Sequence, residues 1–382
     1  MVFLHCESKK NILSHLTHTD KKVYPVGKKP VIAKPSFWKK VSSWENYPKN
    51  IFLLPLYFYG IWKAITNRTM WLFSTSNPGM TFGSFFGLTK SEVYSVLPEN
   101  TYPNTILISS SDAFSNVLEK IKNSNLEYPF IAKPDVGMVG LLVRVIKTEE
   151  QLKAYHQLVK CDWIAQAFVP YEVEVGLFYV RHPENEKGKI IGLSEKKPLS
   201  VIGDGYSKLG DLVKNDVRAS NWEEEVFRKH KKRWNEVPAE GEFVQLMYTG
   251  NRKNGARLIE LVDQVDEDLV AIFDKISHHK GQIFYGRYDI KCNSLEELKQ
   301  GKNFSILEFN GVHSGYGHLY HCGKSAKEAY KTIFQYWKEL YDICIANHKR
   351  GAKFTPFFEG WKLLYRTIRH FIKLSKWEKR LP

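Results

Sequence analysis

The sequence predicts an α+β fold. Amphipathic helical segments and short strands are mixed along the chain, and no internal repeat or low-complexity tract interrupts them. Short links join most of the strands, which favours antiparallel pairing over the long crossovers of parallel sheets. With 382 residues, 43% of them hydrophobic, the chain is long enough for a large core and for more than one domain.

The N-terminal region, residues 1–88, is predicted to be atypical. Residues 1–50 are basic and weakly patterned, which predicts loops with short elements. The aromatic segment Ile51–Thr66 is predicted to be a helix, and its apolar run is shorter than the ~20 residues that cross a bilayer. Residues 1–10 carry charges where a secretory signal would be apolar, so we expect no such signal.

Short runs of β-branched and aromatic residues, often bounded by glycine or proline, mark the strands. The predicted strands are Ile106–Ile108, Phe130–Lys133, Leu141–Ile146, Trp163–Val169, Val173–Arg181, Ile190–Leu193, Phe284–Lys291 and Phe304–Asn310.

Apolar residues three and four positions apart mark the helices. Pro98 ends the first helix after residue 88, and Asp112 is predicted to cap the next. The predicted helices after residue 88 are Lys90–Leu97, Asp112–Lys122, Glu149–Val159, Trp222–Trp234, Glu267–His279, Ala326–His348 and Glu359–Lys376.

The strongest chemical signal lies in two successive strands. Arg287 and Asp289 share one face of the first strand, and Glu308 and Asn310 share one face of the second, because side chains alternate along a strand. The link between them holds a capping box, Ser294–Glu297, and is short enough to favour antiparallel pairing. That pairing would bring three oxygen-bearing side chains together, which suits Mg²⁺ carrying nucleotide phosphates.

A solvated polar sheet face is the alternative interpretation of this pattern. Against it, Glu308 lies in an otherwise apolar strand, where acidic groups are seldom without a role. Arg287 beside it offers a fork of donors that can hold an anion. We therefore favour the functional interpretation.

A glycine loop, Asp135–Gly140, follows Lys133 and Pro134. The next residues are predicted to form a strand, whereas P-loops and Rossmann fingerprints open a helix. The backbone N–H groups of such a loop can lie over phosphates, and Lys133 adds positive charge at its base. A plain β-hairpin with a glycine turn is the alternative.

These residues, in this order, resemble the ATP-grasp superfamily, particularly its D-alanine–D-alanine ligase-like branch. The matches are Lys133–Gly140, Gly286–Asp289 and Glu308–Asn310, and the segment Val201–Gly205 with Leu209–Leu212 is similar to the GDG segment of cyanophycin synthetases. The similarity runs from about Lys90 to about His321. It implies a fold in which two α+β subdomains clasp ATP, with C-terminal helices added.

The resemblance also implies roles for individual residues. Lys133 and Lys90 would contact ATP phosphates, as would the loop at Gly137 and Gly140, and Lys196 would reach a phosphate. Arg287 would steady the oxyanion of a tetrahedral intermediate. The adenine would be read by the backbone of the hinge Gln166–Val169, which includes Phe168 and Val169. The ribose would be held by Glu172 or else Glu174, and two Mg²⁺ ions, for which Mn²⁺ can substitute, by Asp289, Glu308 and Asn310.

The implied activity is amide-bond formation between a carboxylate and an amine, with ATP activating the carboxylate as an acyl phosphate. The implied domains are an N-terminal region at 1–88, a catalytic domain at 89–345 and a basic amphipathic extension at 346–382. Met138 and Gln166 depart from common family residues, and the first eighty residues do not match the usual N-terminal domain. The acid and the amine are therefore not identified by the sequence.

Three rival functions follow from other features. His313, His318, His321 and Cys322 have zinc-ligand types but no familiar zinc spacing. The net charge of +15 would suit a nucleic-acid-binding protein with an inactive core, which the intact set of charged residues disfavours. A kinase that stops at a phosphorylated product is the third.

The five cysteines are scattered, which favours a reducing compartment, and we expect a cytoplasmic protein. The C-terminal segment carries an apolar stripe beside many basic residues, which is typical of helices that lie on anionic membranes. The alternative is that the stripe packs on the protein's own core. The stripe consists of Trp361, Leu364, Ile368, Phe371 and Ile372.

Overall fold

The structure is a computed structural model that describes residues 52–138, 140–247, 255–280, 283–312, 314–316, 319 and 325–380. The loops expected at residues 1–50 and the rival zinc ligands His313, His318, His321 and Cys322 lie outside the described residues.

A four-stranded antiparallel sheet forms the first subdomain, in the order β1–β4–β2–β3. Two helices cover it, and Phe130, Leu152 and Trp163 are fully buried between the layers. Its elements are β1 Thr105–Ile108, α3 Phe114–Asn123, β2 Phe130–Pro134, β3 Arg144–Ile146, α4 Glu149–Leu158 and β4 Trp163–Ala167, preceded by α1 Leu54–Thr66 and α2 Lys90–Val96.

A five-stranded antiparallel sheet forms the second subdomain, in the order β11–β10–β5–β6–β9. Alternate residues of its strands pack to opposite faces: Leu177 joins one core and Phe178 the other. The first core includes residues of α7, and the second includes residues of α9. The elements are β5 Val173–Val180, β6 Lys189–Lys197, β9 Arg257–Glu260, α7 Glu267–His278, β10 Tyr285–Cys292, α8 Leu295–Lys299, β11 Phe304–Asn310 and α9 Ala326–Lys349.

The segment that resembles the GDG motif lies in a small separate unit. Strands β7 (Ser200–Ile202) and β8 (Phe243–Gln245) pair there, and helices α5 (Leu209–Asn215) and α6 (Glu223–His230) pack on them. A Cβ on Gly203 would lie 2.2 Å from the carbonyl oxygen of Ala239, so the close approach of the two backbones requires glycine.

The last helix, α10 (Phe357–Glu378), packs back onto the first subdomain. Leu374 is fully buried in that subdomain's core, and Phe371 packs against it. The outer side of the helix leaves Trp361, Ile368 and Ile372 about half exposed. The expected apolar stripe is therefore divided between the core and the surface.

The α+β class is confirmed, as is the antiparallel pairing of the last two strands. The predicted cap at Asp112 is wrong, because its carboxylate accepts hydrogen bonds from the N–H of Ser109 and the ammonium of Lys120, and Ala113 is the N-cap of a helix that begins at Phe114. The predicted strand Leu141–Ile146 begins only at Arg144, because Leu142 has a positive φ of 59°. The predicted helix Trp222–Trp234 shortens to α6. None of the described helices is long and apolar enough to span a bilayer.

Candidate active site

Asp289 is the centre of a charged cluster on the sheet of the second subdomain. Its carboxylate receives two hydrogen bonds from Arg287, at 2.8 and 3.0 Å, and one from the amide of Asn310 at 3.0 Å. The Nζ of Lys196 lies 3.0 Å from the same carboxylate and 2.9 Å from Glu174. The cluster therefore draws on three adjacent strands, β5, β6 and β10, and on β11.

The register of the strands explains why these residues meet. Arg287 pairs with Asn310 across β10 and β11, and Asp289 pairs with Glu308. The pairing shifts immediately after Asp289, and irregularities of this kind are common beside active sites because they re-aim side chains. The shared face that the sequence predicts is thus present.

The opposite charges in this cluster stabilise each other's ionised forms. Burial opposes ionisation of Asp289, but the neighbouring Arg287 and Lys196 outweigh it and hold the pKa of Asp289 well below its ordinary value. Burial likewise opposes the charge of Lys196, yet Asp289 and Glu174 raise its pKa above the ordinary value. Arg287, Lys196 and Asp289 are therefore charged at neutral pH.

A second group of charges lies around the glycine loop. Lys90 begins helix α2, and its Nζ lies 3.8 Å from Glu308. A Cβ on Gly137 would lie 3.2 Å from the same Nζ, so the loop lies directly against Lys90. A cleft of about 100 Å³ is lined by Lys90, Gly137, Glu308 and Asn310 among others. Two of the expected phosphate-binding residues, Lys90 and Gly137, and two of the expected metal ligands, Glu308 and Asn310, therefore line one cleft.

Lys133 is the most perturbed cation of this group. Its side chain is buried at the base of the glycine loop and donates a hydrogen bond to the carbonyl of Leu307 at 3.1 Å. Burial and the nearby charge of Lys90 lower the pKa of Lys133 to about 7. A buried lysine with this pKa gains most from an anionic ligand, because a phosphate would restore its charge.

The glycine loop is anchored at both ends. Asp135 accepts hydrogen bonds from the backbone and the hydroxyl of Ser91, at 2.8 and 2.7 Å, which ties the start of the loop to α2. The carboxylate of Glu378 in α10 accepts the N–H of Leu142 at 2.6 Å and pairs with Arg144 at 3.1 Å. The last helix is therefore part of the support of this loop, which the sequence did not indicate.

The hinge after β4 has a buried and an exposed part. The amide of Gln166 is buried and donates to the hydroxyls of Tyr94 and Thr105, both at 2.8 Å, so its side chain is not offered to a ligand. Phe168 is 48% exposed and Glu172 is exposed, whereas Val169 is buried. An exposed aromatic ring can stack on a base, and an exposed carboxylate can accept hydrogen bonds from ribose hydroxyls.

The side-chain oxygens of Asp289, Glu308 and Asn310 suit a hard divalent cation, provided that Asp289 loses one of its present hydrogen-bond donors. The side chain of Glu308 is 38% exposed, and Asn310 uses its amide nitrogen on Asp289, which leaves its carbonyl oxygen as a ligand. Asp289 already receives four donors, and a carboxylate has about four acceptor positions. A cation at Asp289 would therefore replace one donor. In the part of the chain that the structure describes, no cluster of three His, Cys, Asp or Glu side chains is arranged around a metal position.

Sequence reasoning missed Gly176. It lies opposite Asp289 on β5, and a Cβ there would lie 3.3 Å from Cδ of Arg287 and 3.5 Å from Asp289. Any larger side chain would therefore press on the cluster. A lone glycine within a strand pattern was the available signal, since it often marks a close approach.

Comparisons with known proteins find similarity at low sequence identity. No family model matches the chain. The glutathione biosynthesis bifunctional protein GshAB of Clostridium perfringens is 22% identical over 226 residues, which cover 54% of this chain and 29% of that protein. The chain thus matches less than a third of the length of this curated relative.

Solved structures with similarity to the chain include a bifunctional glutathione synthetase from Pasteurella multocida, with 16% identity and a TM-score of 0.38 over 65% of this chain and 36% of that one. A D-alanine–D-alanine ligase from Bacillus anthracis has 12% identity and a TM-score of 0.36 over 69% and 67% of the two chains. The two solved structures are named as a synthetase and a ligase, and the curated relative as a glutathione biosynthesis protein.

Proposed function

We propose that the chain is an ATP-dependent ligase that joins a carboxylate to an amine through an acyl phosphate. The observation that carries the proposal is the charged cluster of Arg287, Lys196 and Asp289. Asn310 donates to Asp289 and also lines the cleft that Glu308 and the glycine loop border. Anion-binding cations, hard oxygen ligands and a glycine loop at one place are the requirements of phosphoryl transfer. A protein that only binds nucleic acid does not require them.

The nucleotide would lie between the two subdomains. Lys133 and Lys90, with the backbone at Gly137 and Gly140, would hold its phosphates. Its adenine would lie against the hinge backbone from Gln166 to Val169, beside the ring of Phe168, and Glu172 would accept the ribose hydroxyls. These assignments rest on the exposure of the hinge and on the charge of the cleft.

Glu308 and Asn310 would hold Mg²⁺, or Mn²⁺ in its place. Asp289 would join them when Lys196 moves from Asp289 to a phosphate oxygen. The resemblance implies two ions. The bound cations would neutralise charge on the transferring phosphoryl group.

Activation by ATP turns the carboxylate oxygen into a leaving group, so that an amine can attack the carbonyl carbon. Arg287 is oriented by its two bonds to Asp289 and lies within the cluster, where it would stabilise the oxyanion that develops. Loss of one such donor typically costs about 3–4 kcal/mol of barrier.

The proposal includes a cytoplasmic location, since the activity requires ATP and the three cysteines in the described residues are free. It also includes weak contact of α10 with anionic membrane, supported by the exposure of Trp361, Ile368 and Ile372 between basic residues. Small carboxylate and amine substrates are its partners, and nucleic acid is not.

The test is ADP release by the purified full chain against a panel of amino acids, dipeptides and amino sugars. We expect amide product with at least one pair, and loss of turnover in Asp289→Asn and in Glu308→Gln with folding retained. The matched control is Glu119→Gln, which removes an exposed charge on α3. Near-normal ADP release by either site variant would contradict the metal assignment, and a stable phosphorylated product without amide would favour a kinase.

A further inference from the structure

A large apolar cavity lies between α1, α9 and the start of α10. Its volume is about 1030 Å³, at the upper end of the roughly 300–1,000 Å³ that small-molecule sites occupy. Among the described residues that line it, Arg68 is the only charged one, and most of the others are aliphatic or aromatic. A cavity of this size and lining suits a ligand with an extended hydrocarbon portion.

One wall of the cavity borders the proposed catalytic cluster. Ser314, Gly315 and Tyr316 contribute to its wall. The carbonyl of Gly315 accepts a hydrogen bond from Nη1 of Arg287 at 3.1 Å, and the hydroxyl of Ser314 donates to the carbonyl of Asn310 at 2.7 Å. A ligand that fills the cavity would therefore end within a residue's length of Arg287.

The outer end of the cavity is surrounded by exposed apolar side chains. Ile61, Ile65 and Phe357 line it and are 54%, 70% and 52% exposed, and Arg68 at the same rim is also exposed. Phe358 next to this rim is 83% exposed. Exposed apolar groups that are grouped in this way mark a surface for an apolar ligand or for lipid.

We propose that this cavity binds the hydrocarbon chain of an amphipathic substrate, whose reacting carboxylate or amine lies at Arg287. The substrate class is a lipid-like amphiphile with a long aliphatic or isoprenoid chain. The chemical step of this assignment rests on the proposed ligase function, whereas the binding of the chain does not. The hydrogen bond between Arg287 and the cavity wall at Gly315 places a charged group beside an apolar cavity. This arrangement favours an amphiphile over a protein segment, because an amphiphile has an apolar body and one polar reacting end.

The free energy of burial makes the proposal quantitative. Each methylene moved from water into an apolar site raises the affinity roughly fourfold. Four added methylenes therefore raise the affinity by about two orders of magnitude while the cavity still has room. A ligand held only by its polar end would show no such dependence.

The experiment measures displacement of a fluorescent polyene fatty acid from the full chain, without nucleotide, by saturated acids of eight, twelve and sixteen carbons. We expect affinity to rise with chain length. Ala64→Trp should lower the affinity at least tenfold, because Ala64 lines the cavity and the indole would fill it. The matched control is Thr66→Trp on the same helix, an exposed position outside the lining, which should change the affinity less than twofold.

A second variant guards against misfolding of the first. Ile61→Ser removes apolar lining at an exposed position and should also weaken binding, with an unchanged melting temperature. Chain-length-independent affinity, or equal affinities for Ala64→Trp and Thr66→Trp, would overturn the proposal. Failure of the full chain to bind any of the acids would also overturn the proposal. It would favour another occupant of the cavity, either residues 1–51 or a second copy of the chain.

Two further measurements distinguish a free amphiphile from membrane lipid, and binding of the chain from ligase activity. Acids below their micelle concentration test a monomeric ligand, and vesicles of anionic phospholipid test a membrane. Binding to vesicles without displacement of the fluorescent acid would overturn the cavity assignment. ADP release is measured separately with long-chain acids, so that chain binding without turnover would support the cavity and count against the ligase activity alone.

Discussion

The pKa of Lys133 makes nucleotide affinity depend on pH. In the free protein this buried lysine titrates near pH 7, because burial and the charge of Lys90 disfavour its ammonium form. A bound phosphate requires the ammonium form and would raise its pKa. The affinity is therefore highest at and below pH 7 and falls as the pH rises, because deprotonation of the free protein then competes with binding.

The magnitude follows from the titration. With a pKa of about 7, half of the free protein carries the charged lysine at pH 7 and about one hundredth at pH 9. If the lysine stays protonated in the complex, affinity falls about 50-fold over this range, or ~2.3 kcal/mol. Binding at pH 8 would also take up nearly one proton.

The assay is calorimetric titration of ADP at several pH values from 7 to 9, in two buffers with different ionisation enthalpies. Lys133→Arg is the matched control, because a guanidinium stays charged over this range and should abolish the slope. Lys133→Ala should bind weakly at every pH. An equal slope in wild type and Lys133→Arg would refute the reasoning, and unchanged affinity in Lys133→Ala would refute the assignment of the loop.

Three further predictions concern the surroundings of the site. Glu378→Gln should lower the free energy of unfolding by ~1 kcal/mol and weaken ADP binding, because it weakens the hydrogen bonds that anchor the glycine loop. An unchanged free energy of unfolding together with unchanged ADP affinity would contradict this role. Gly176→Val should reduce turnover more than Gly176→Ala, with both proteins folded, because a branched Cβ presses on Arg287; equal rates would contradict it. After sedimentation with anionic liposomes at low salt, a larger fraction of the double variant Ile368→Ser with Ile372→Ser than of the wild type should remain in the supernatant. Equal recovery would end the proposal of membrane contact.

Much of the site could be predicted from local rules. Strand alternation is a property of the backbone, so Arg287, Asp289, Glu308 and Asn310 could be placed on shared faces before any contact was known. The short link with its cap at Ser294 was enough to predict antiparallel pairing. The fold class followed from the same local patterns.

Errors occurred where a specific side-chain contact outweighed a local preference. Leu142 fits a strand by composition, yet its N–H bonds to Glu378, 236 positions away, and its φ is positive. Asp112 is a good cap by residue type, but Lys120 and Ser109 hold its carboxylate instead. Glu378 lies outside any local window, and the partners of Asp112, although only three and eight positions away, are not weighed by residue-type propensity.

The sequence by itself determined the α+β class, the ionisable residues of the site and their distribution over two strands, because these depend on the spacing of neighbours along the chain. Only the tertiary structure decided that Lys196 and Glu174 complete the cluster around Asp289 and that α10 supports the glycine loop. The same holds for the apolar cavity, whose wall residue Gly315 accepts a hydrogen bond from Arg287. A pKa and a cavity both depend on what surrounds a residue in space, and the packing of segments far apart in sequence sets those surroundings.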